Sequence, residues 1–243
     1  MRKMRAGIIG FGRFGRLLAK YLSEDFELLV FDNKGRVEKN ANVTPVSLEN
    51  TCKADIVIPC VPISEFENVI KDIAGLLNEG ALVVDVCSVK EKPAELMQKL
   101  LPKNVKILAT HPMFGPDSAP DTVKGSKIVL CRLRVDDALY AKVKKYLTSK
   151  GLTIIETTPK DHDEQIARSQ ILTHFIGRAL AEFKVGEMEI DTEGYKRLLR
   201  IMEIVENDTW QLYCDMNKYN SHSQTVRREF MDALQEVNRR LTK

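Results

Sequence analysis

The feature that most constrains the fold is a glycine-rich segment close to the amino terminus. Gly10, Gly12 and Gly15 follow a short apolar run and lead into a segment whose apolar residues recur with helical spacing. A strand, a glycine turn and a helix in this order are typical of a dinucleotide-binding unit. The first glycine permits the tight turn, the second admits the pyrophosphate, and the third lets helix and strand pack closely. The amino terminus of the helix offers N–H groups to the phosphates.

The hydrophobic pattern extends this unit into a complete α/β domain. Short apolar runs alternate with segments of helical periodicity as far as residue 156. This alternation predicts a doubly wound, Rossmann-type parallel sheet. The predicted strands are 4–10, 26–32, 56–60, 81–86, 105–109, 127–131 and 153–156, and the longer predicted helices are 13–22, 69–77, 94–101 and 136–147.

The pattern changes near Pro159, and the rest of the chain has helical periodicity with no convincing strand. We therefore expect a dinucleotide-binding domain over residues 1–157 and an all-helical domain over residues 158–243. A helical segment of about 85 residues buries only a thin core alone. The second domain is accordingly predicted to pack against another copy of itself and to form a homodimer.

Composition excludes several other classes of protein. The chain is 44% hydrophobic and 29% charged, which is usual for a soluble globular protein. No apolar run approaches the roughly 20 residues of a membrane span, and no signal-peptide core is present, so we expect a cytoplasmic protein without a membrane partner. The net charge of +3 and the lack of a basic, aromatic-rich block give no reason to expect nucleic acid binding. The five cysteines form no CxxC pair or Cys/His cluster, so no metal is expected.

The end of the second predicted strand bears on the choice of cofactor. Asp32 is placed to accept hydrogen bonds from ribose hydroxyls and to oppose a 2′-phosphate, which favours NAD. Lys34 and Arg36 lie just beyond and either reach a 2′-phosphate, which would allow NADP, or form a solvated basic loop. A third possibility is a doubly wound protein whose glycine turn binds another ligand. The predicted cofactor-binding residues are Gly10, Phe11, Gly12, Arg13, Phe14, Gly15, Asp32, Cys60, Val61 and Pro62.

Two polar residues follow neighbouring predicted strands and are the candidate catalytic groups. Ser88 follows the strand at 81–86, and His111 follows the strand at 105–109. In open α/β sheets the carboxyl ends of the strands line the ligand crevice. Histidine suits a general base that removes a hydroxyl proton, because its pKa lies near neutrality. The structural alternatives are a helix cap for Ser88 and a His-Pro turn for His111.

A polar stripe is predicted on the first long helix of the second domain. At 100° per residue, Asp163, Gln170 and His174 fall within about 40° of one another, while the neighbouring apolar residues point elsewhere. The stripe either lines a polar cavity or belongs to an ordinary interior or surface histidine and its neighbours.

Five segments together resemble the prephenate and arogenate dehydrogenases of tyrosine biosynthesis. The Ser-Val-Lys of residues 88–90 and the His-Pro-Met-Phe-Gly-Pro of residues 111–116 are the most specific, and they look closest to the plant-like arogenate enzymes. In this sequence the resemblance is carried by residues 10–15, 85–93, 110–116, 162–174 and 194–201.

The resemblance implies an NAD(P)-dependent oxidative decarboxylation of prephenate or arogenate, which gives 4-hydroxyphenylpyruvate or tyrosine plus CO2. It implies that Ser88 and His111 hold the ring hydroxyl, with His111 as the base. It also implies that His174 and Arg200, in the helical second domain, bind the carboxylate and side-chain groups of the substrate, so this domain is the expected substrate-binding domain. We expect Gln170, from the polar stripe, to contact the substrate as well. Ser169-Gln170 replaces the Ser-His of bacterial members, and Asp32 departs from the NADP preference common in plant-like members.

Two other functional classes stay open at this stage. One is a β-hydroxyacid or imine-reductase-like dehydrogenase, although no lysine occurs between Asp161 and Phe183, where the hydroxyacid enzymes use one. The other is a non-enzymatic nucleotide-sensing module, although no DNA-reading helix-turn-helix is found. The choice between prephenate and arogenate is also open. Glu203, one helical turn from Arg200, is either a partner for the ammonium of arogenate or a surface carboxylate.

Overall fold

The computed structural model describes residues 3–37 and 43–242 and divides into two compact units, Met1–Pro159 and Lys160–Lys243. The division lies close to the boundary expected after residue 157.

The first unit is built on one eight-stranded sheet with the strand order β3-β2-β1-β4-β5-β6-β7-β8. The order from β3 to β6 is that of a Rossmann-type domain, so the predicted fold class is confirmed. The strands are β1 (Arg5–Ile9), β2 (Glu27–Phe31), β3 (Val43–Pro45), β4 (Ile56–Pro59), β5 (Leu82–Asp85), β6 (Lys106–Pro112), β7 (Lys127–Arg134) and β8 (Thr153–Glu156). The helices are α1 (Arg13–Leu22), α2 (Leu48–Cys52), α3 (Ile63–Ala74), α4 (Glu91–Leu100) and α5 (Asp137–Ser149).

The prediction of a uniformly parallel sheet is wrong at one place. β6 and β7 pair antiparallel, whereas the other neighbouring strands pair in parallel. The link between β6 and β7, residues 113–126, contains no helix. Parallel neighbours are usually joined by a crossover that contains an α-helix, and this link has none, so the chain turns back beside β6.

The central strands are buried on both faces, which explains their continuous apolar runs. Ile8, Val30, Val57 and Val83 have no exposed surface. Parallel strands covered by helices on both sides show this pattern. Because β1, β4, β5 and β6 run in the same direction, their carboxyl ends lie along one edge of the sheet.

The described part of the second unit, residues 160–242, consists of helices joined by loops and contains no strand, as the periodicity predicts. Thr192 and Thr209 cap two of its helices by accepting hydrogen bonds from the backbone N–H groups of Tyr195 and Leu212. None of the helices in the described ranges is long and apolar enough to cross a membrane. The elements are α6 (Pro159–Ile166), a π-helical segment (Ala167–Ile171), α7 (Leu172–Glu182), α8 (Glu193–Glu206), α9 (Trp210–Tyr219) and α10 (Ser223–Leu241).

The π-helical segment alters the rotation on which the predicted polar stripe was based. Its hydrogen bonds span five residues instead of four, so a uniform rotation of about 100° per residue does not hold across Ala167–Ile171. Two hydroxyls donate to backbone carbonyls four residues earlier: Ser169 to Gln165 at 2.7 Å and Thr173 to Ser169 at 3.0 Å. Such segments occur frequently at functional sites.

The closest approach of α7 and α8 gives a test of the packing in the second unit. A Cβ at Gly177 would lie 2.5 Å from the Val205 side chain, whereas the nearest atom to a Cβ at Gly194 is 3.8 Å away. Gly177→Ala should lower the free energy of unfolding by about 1–3 kcal/mol, as overpacked cores do. Gly194→Ala, also in a helix, should be neutral or stabilising. Urea denaturation of both variants checks this, and equal stabilities would contradict the packing described.

Candidate active site

The glycine turn after β1 is shaped by three backbone segments in close contact. Gly10 has a φ of +97°, which L side chains rarely adopt, and a Cβ there would lie 2.4 Å from the Cys60 carbonyl oxygen. A Cβ at Gly15 would lie 2.2 Å from the Gly10 carbonyl oxygen. A Cβ at Gly12 would meet nothing within 4 Å among the described residues. Packing therefore requires two of the glycines, and the third faces the open space that a ligand would occupy.

The other predicted cofactor residues surround this turn. Cys60, Val61 and Pro62 connect β4 to α3, and Cys60 donates its N–H to the Ile9 carbonyl at 2.7 Å. Phe14 lies in the first turn of α1, and no side chain caps that helix at Gly12. Its first N–H groups therefore point towards the turn without a side-chain acceptor at the cap position.

Arg13, at the start of α1, is held by the link between β6 and β7. Its Nη2 donates to both carboxylate oxygens of Asp117, at 2.6 and 2.8 Å. Both side chains are about half exposed, at 49% and 45%, so the pair is open to solvent and easily exchanged for another anion.

The Asp32 carboxylate, at the end of β2, accepts four hydrogen bonds. It accepts from the N–H groups of Phe11 at 2.8 Å and Lys34 at 2.9 Å, and from the Arg36 guanidinium at 3.0 and 2.6 Å. The hydrogen bonds from Arg36, with those from the backbone, hold the pKa of Asp32 well below its usual range although burial opposes the shift. The carboxylate is thus ionised, tied to the glycine turn and partly neutralised by Arg36.

Ser88 and His111 lie at the carboxyl edge of the same sheet. Ser88 is half-buried in the segment after β5, and α4 begins beyond it with Lys90 at the cap position, so Ser88 does not cap that helix. His111 is buried within β6, where it pairs with Val129 of β7. The prediction that His111 follows a strand ending at Ala109 is wrong, because pairing with antiparallel β7 extends the strand to Pro112.

A buried network that the sequence interpretation missed adjoins both of these residues. Lys90 forms an ion pair with Asp85, and both side chains are 0% exposed. Lys90 also donates to the Thr110 carbonyl at 2.5 Å, and Asp85 accepts from the N–H groups of Cys87 at 2.9 Å and Thr110 at 3.2 Å. Burial raises the pKa of the Asp85 carboxyl, and the charge of Lys90 opposes that shift. The only signal in the sequence is a pair of opposite charges within an otherwise apolar stretch.

His174 lies in α7 of the second unit and is buried beside an acid and an aromatic ring. Its Nε2 is 3.6 Å from the Asp208 carboxylate, and its ring stacks on Tyr213 with centroids 6.5 Å apart. Burial lowers the pKa of His174, helped by the charge of Arg178 and opposed by that of Asp208. The site therefore favours the neutral imidazole.

Arg178, one turn beyond His174, is a second candidate from the sequence, after Arg200, for binding a substrate carboxylate. Its guanidinium lies over the rings of Trp210 at 5.5 Å and Tyr213 at 6.0 Å, and donates to the Asp208 carbonyl at 2.5 Å. In the described structure Gln170 Oε1, His174 Nδ1 and Arg178 Nε are buried without a hydrogen-bond partner. Buried polar atoms are rarely left in this state, so a ligand or a water is expected to complete the bonding of each.

Within the described structure, the other predicted residues of the second unit, Asp163, Arg200 and Glu203, do not have buried polar atoms without partners. Asp163, expected in the same stripe, is fully buried, and its carboxylate oxygen Oδ1 lies within hydrogen-bond distance of His162 Nδ1, at 2.7 Å. Arg200 and Glu203 lie on α8 with exposed side chains. No group of three or more His, Cys, Asp or Glu residues within the described ranges is arranged to hold a metal ion.

The sheet order, the glycine turn and the carboxylate at the end of β2 define a Rossmann-type nucleotide-binding protein. Residues 31–156 match the family model described as prephenate dehydrogenase, nucleotide-binding domain. That match covers more than half of the chain, which therefore belongs to the prephenate dehydrogenase family. Residues 179–243 match a second model, described as TYRAAT1-like, C-terminal domain.

Curated relatives agree with this assignment. The chain is 32% identical over 232 residues to arogenate dehydrogenase 2, chloroplastic, of Arabidopsis thaliana, covering 90% of this chain and 65% of the relative. It is 30% identical over 239 residues to the probable arogenate/prephenate dehydrogenase of Methanocaldococcus jannaschii, covering 92% of this chain and 53% of the relative. The chain thus spans less than two thirds of the length of these relatives. The family resemblance seen in the sequence, including its plant-like character, is confirmed.

Solved structures show the same fold at lower identity. Prephenate dehydrogenase from A. aeolicus, solved with hydroxyphenyl propionate and NAD+, superposes with a TM-score of 0.79 at 21% identity, covering 100% of this chain and 92% of that one. Synechocystis arogenate dehydrogenase superposes with a TM-score of 0.70 at 21% identity, covering 98% and 91%.

Two glycines of the turn give a matched test of the nucleotide site. Gly12→Ala should leave the melting temperature unchanged but weaken NAD binding at least about tenfold, or 1.4 kcal/mol, because its methyl group would project into the open space. Gly15→Ala should instead lower the free energy of unfolding by about 1–3 kcal/mol through its clash with Gly10. Calorimetric titration and thermal melts separate the two effects. A Gly12→Ala variant that binds NAD as tightly as the parent would contradict this assignment.

Proposed function

We propose that this protein is an NAD(P)-dependent dehydrogenase that oxidatively decarboxylates prephenate or arogenate in tyrosine biosynthesis. The observation that carries the proposal is the position of Ser88 and His111 at the carboxyl edge of the sheet that bears the glycine turn, in a chain of the prephenate dehydrogenase family. The products would be 4-hydroxyphenylpyruvate or tyrosine, with CO2.

His111 and Ser88 divide the proton chemistry between them in this proposal. His111 accepts the proton of the C4 hydroxyl, for which an imidazole has a suitable pKa. The Ser88 hydroxyl holds the same oxygen in register with the base. A bound nicotinamide would supply the acceptor for the C4 hydrogen as hydride. As CO2 leaves, the electron pair of the broken C1–carboxylate bond passes through the ring to the C4 oxygen, and this oxygen takes back the proton from His111 to give the phenol. Aromatisation drives the reaction, so the protein need only orient the reacting groups.

The nucleotide site fits NAD and leaves room for NADP. Asp32 has the position of a ribose-binding carboxylate at the end of β2. Its ion pair with Arg36 reduces the negative charge that would oppose a 2′-phosphate, and the Arg36 side chain is 40% exposed. We infer that NAD is the preferred cofactor and that Arg36 and Lys34 make NADP an acceptable second one.

Recognition of the substrate is assigned to the second unit. Gln170 and His174 present buried polar atoms that lack partners in the described structure, which supports their predicted role as substrate contacts. Arg200 has an exposed guanidinium, which suits bidentate binding of a carboxylate. The neutral imidazole favoured at His174 suits a hydrogen bond to the substrate rather than an ion pair.

The test is an absorbance assay at 340 nm with prephenate and arogenate, each with NAD and NADP. The parent should turn over at least one pair, and His111→Asn should lower kcat by about 10²–10⁴ while NAD affinity stays unchanged. His222→Asn, on another half-buried histidine, is the control and should keep normal turnover. Near-normal turnover of His111→Asn would remove it as the base. A parent inactive with all four combinations would favour the hydroxyacid-dehydrogenase or sensor alternatives.

We also propose a homodimer formed through the second unit. Most of the large exposed apolar side chains in the described ranges belong to this unit, and such a concentration marks an interaction surface. They include Phe183, Ile190, Ile204, Trp210, Met231, Leu234, Val237 and Leu241.

Sedimentation should give about twice 27.6 kDa for the parent. Leu234→Glu places a charge on the exposed face of α10 and should shift the protein towards monomer, whereas Met4→Glu, equally exposed in the first unit, should not. An active parent that stays monomeric at micromolar concentration would refute the dimer.

Other expectations stay predictions from the sequence. We expect a cytoplasmic protein with no nucleic acid partner, while two of the relatives are named as chloroplastic proteins.

A further inference from the structure

The ion pair between Asp85 and Lys90 is the most deeply buried pair of opposite charges described in the first unit. Neither side chain has exposed surface. Asp85 ends β5, and Lys90 lies at the cap position of α4.

A buried ion pair is a poor source of stability. Removing two charges from water is costly, and well-packed apolar residues of similar size often stabilise a protein as much or more. A buried ion pair can instead hold neighbouring groups in defined positions, because its charged atoms also form hydrogen bonds to them. The groups fixed here therefore indicate what the pair does.

The bonds of this network lead to the residues immediately before the two candidate catalytic groups. Asp85 accepts from the N–H of Cys87, which precedes Ser88, and from the N–H of Thr110, which precedes His111. Lys90 donates to the Thr110 carbonyl at 2.5 Å, and the Thr110 hydroxyl donates to the Asp85 carbonyl at 2.6 Å. Three hydrogen bonds to Thr110 thus join the end of β5 to β6 around one ion pair, and the fourth fixes the backbone just before Ser88.

We propose that Asp85 and Lys90 are positioning residues that hold the Ser88 hydroxyl and the His111 imidazole in register for the proton transfer. The catalytic consequence rests on the proposed function, but the structural consequence does not. Loss of the pair should change the environment of His111 and lower kcat, since small displacements of reacting groups are expensive in rate. NAD binding should be spared, because the glycine turn lies on other strands.

The informative variant is Asp85→Asn/Lys90→Met, which removes both charges and leaves no unpaired buried ion. We expect kcat to fall about 10- to 100-fold, with the NAD dissociation constant within about twofold of the parent. Ile107→Val, which trims a fully buried side chain on β6 without touching the network, is the control for general loosening of the core. Thr110→Val keeps both charges and removes one hydroxyl bond, so it provides a milder variant if the double substitution fails to fold.

A second readout does not depend on turnover. The chain has four histidines, so the imidazole resonance of His111 is assigned by comparison with His111→Asn and followed through a pH titration. The resonance or its titration should change in the double variant and in Thr110→Val, and not in Ile107→Val. An unchanged His111 resonance in both network variants overturns the proposal whatever the turnover. If the parent turns over neither substrate, the proposed function fails, and this resonance alone decides the positioning role.

Discussion

The close approach of the glycine turn to β4 determines how the rest of the first unit is arranged. Gly10 and Gly15 permit the Cys60 carbonyl, the turn and the first turn of α1 to meet at distances that no side chain allows. This contact brings the start of α1 to the carboxyl edge of the sheet, where a nucleotide phosphate binds a helix amino terminus. It also fixes β1 beside β4, so β5 and β6 follow in order and carry Ser88 and His111 to the same edge.

Two ion pairs of the first unit differ in how far they are exposed to solvent. In the pair between Asp32 and Arg36 the carboxylate is buried, and the guanidinium is 40% exposed. The pair between Asp85 and Lys90 is sealed from solvent and joins two strand ends. In the second unit the polar atoms of Gln170 and His174 lack partners within the described structure. The proposed proton transfer depends on Ser88 and His111 of the first unit, and Gln170 and His174 are the proposed substrate contacts of the second.

The sequence predicted the α/β fold and the helical second unit because both follow from local periodicity and from the glycine turn. It failed where a residue's role depends on a distant partner. The extension of β6 through His111 requires pairing with antiparallel β7, and the short edge strand β3 has too few residues to show a pattern. The engagement of Lys90 with Thr110 and the stacking of Arg178 on Trp210 join residues 20 and more positions apart, which periodicity cannot reveal. The π-helical segment likewise breaks the uniform rotation per residue from which the stripe was predicted.

The central claim is that one turnover couples hydride transfer to loss of the ring carboxylate. The direct measurement is to supply prephenate or arogenate labelled in that carboxylate and to follow absorbance at 340 nm and released labelled CO2 in the same reaction. Oxidative decarboxylation predicts one CO2 for each reduced cofactor at all times. Reduced cofactor without CO2 would identify a simple alcohol dehydrogenase and contradict the account.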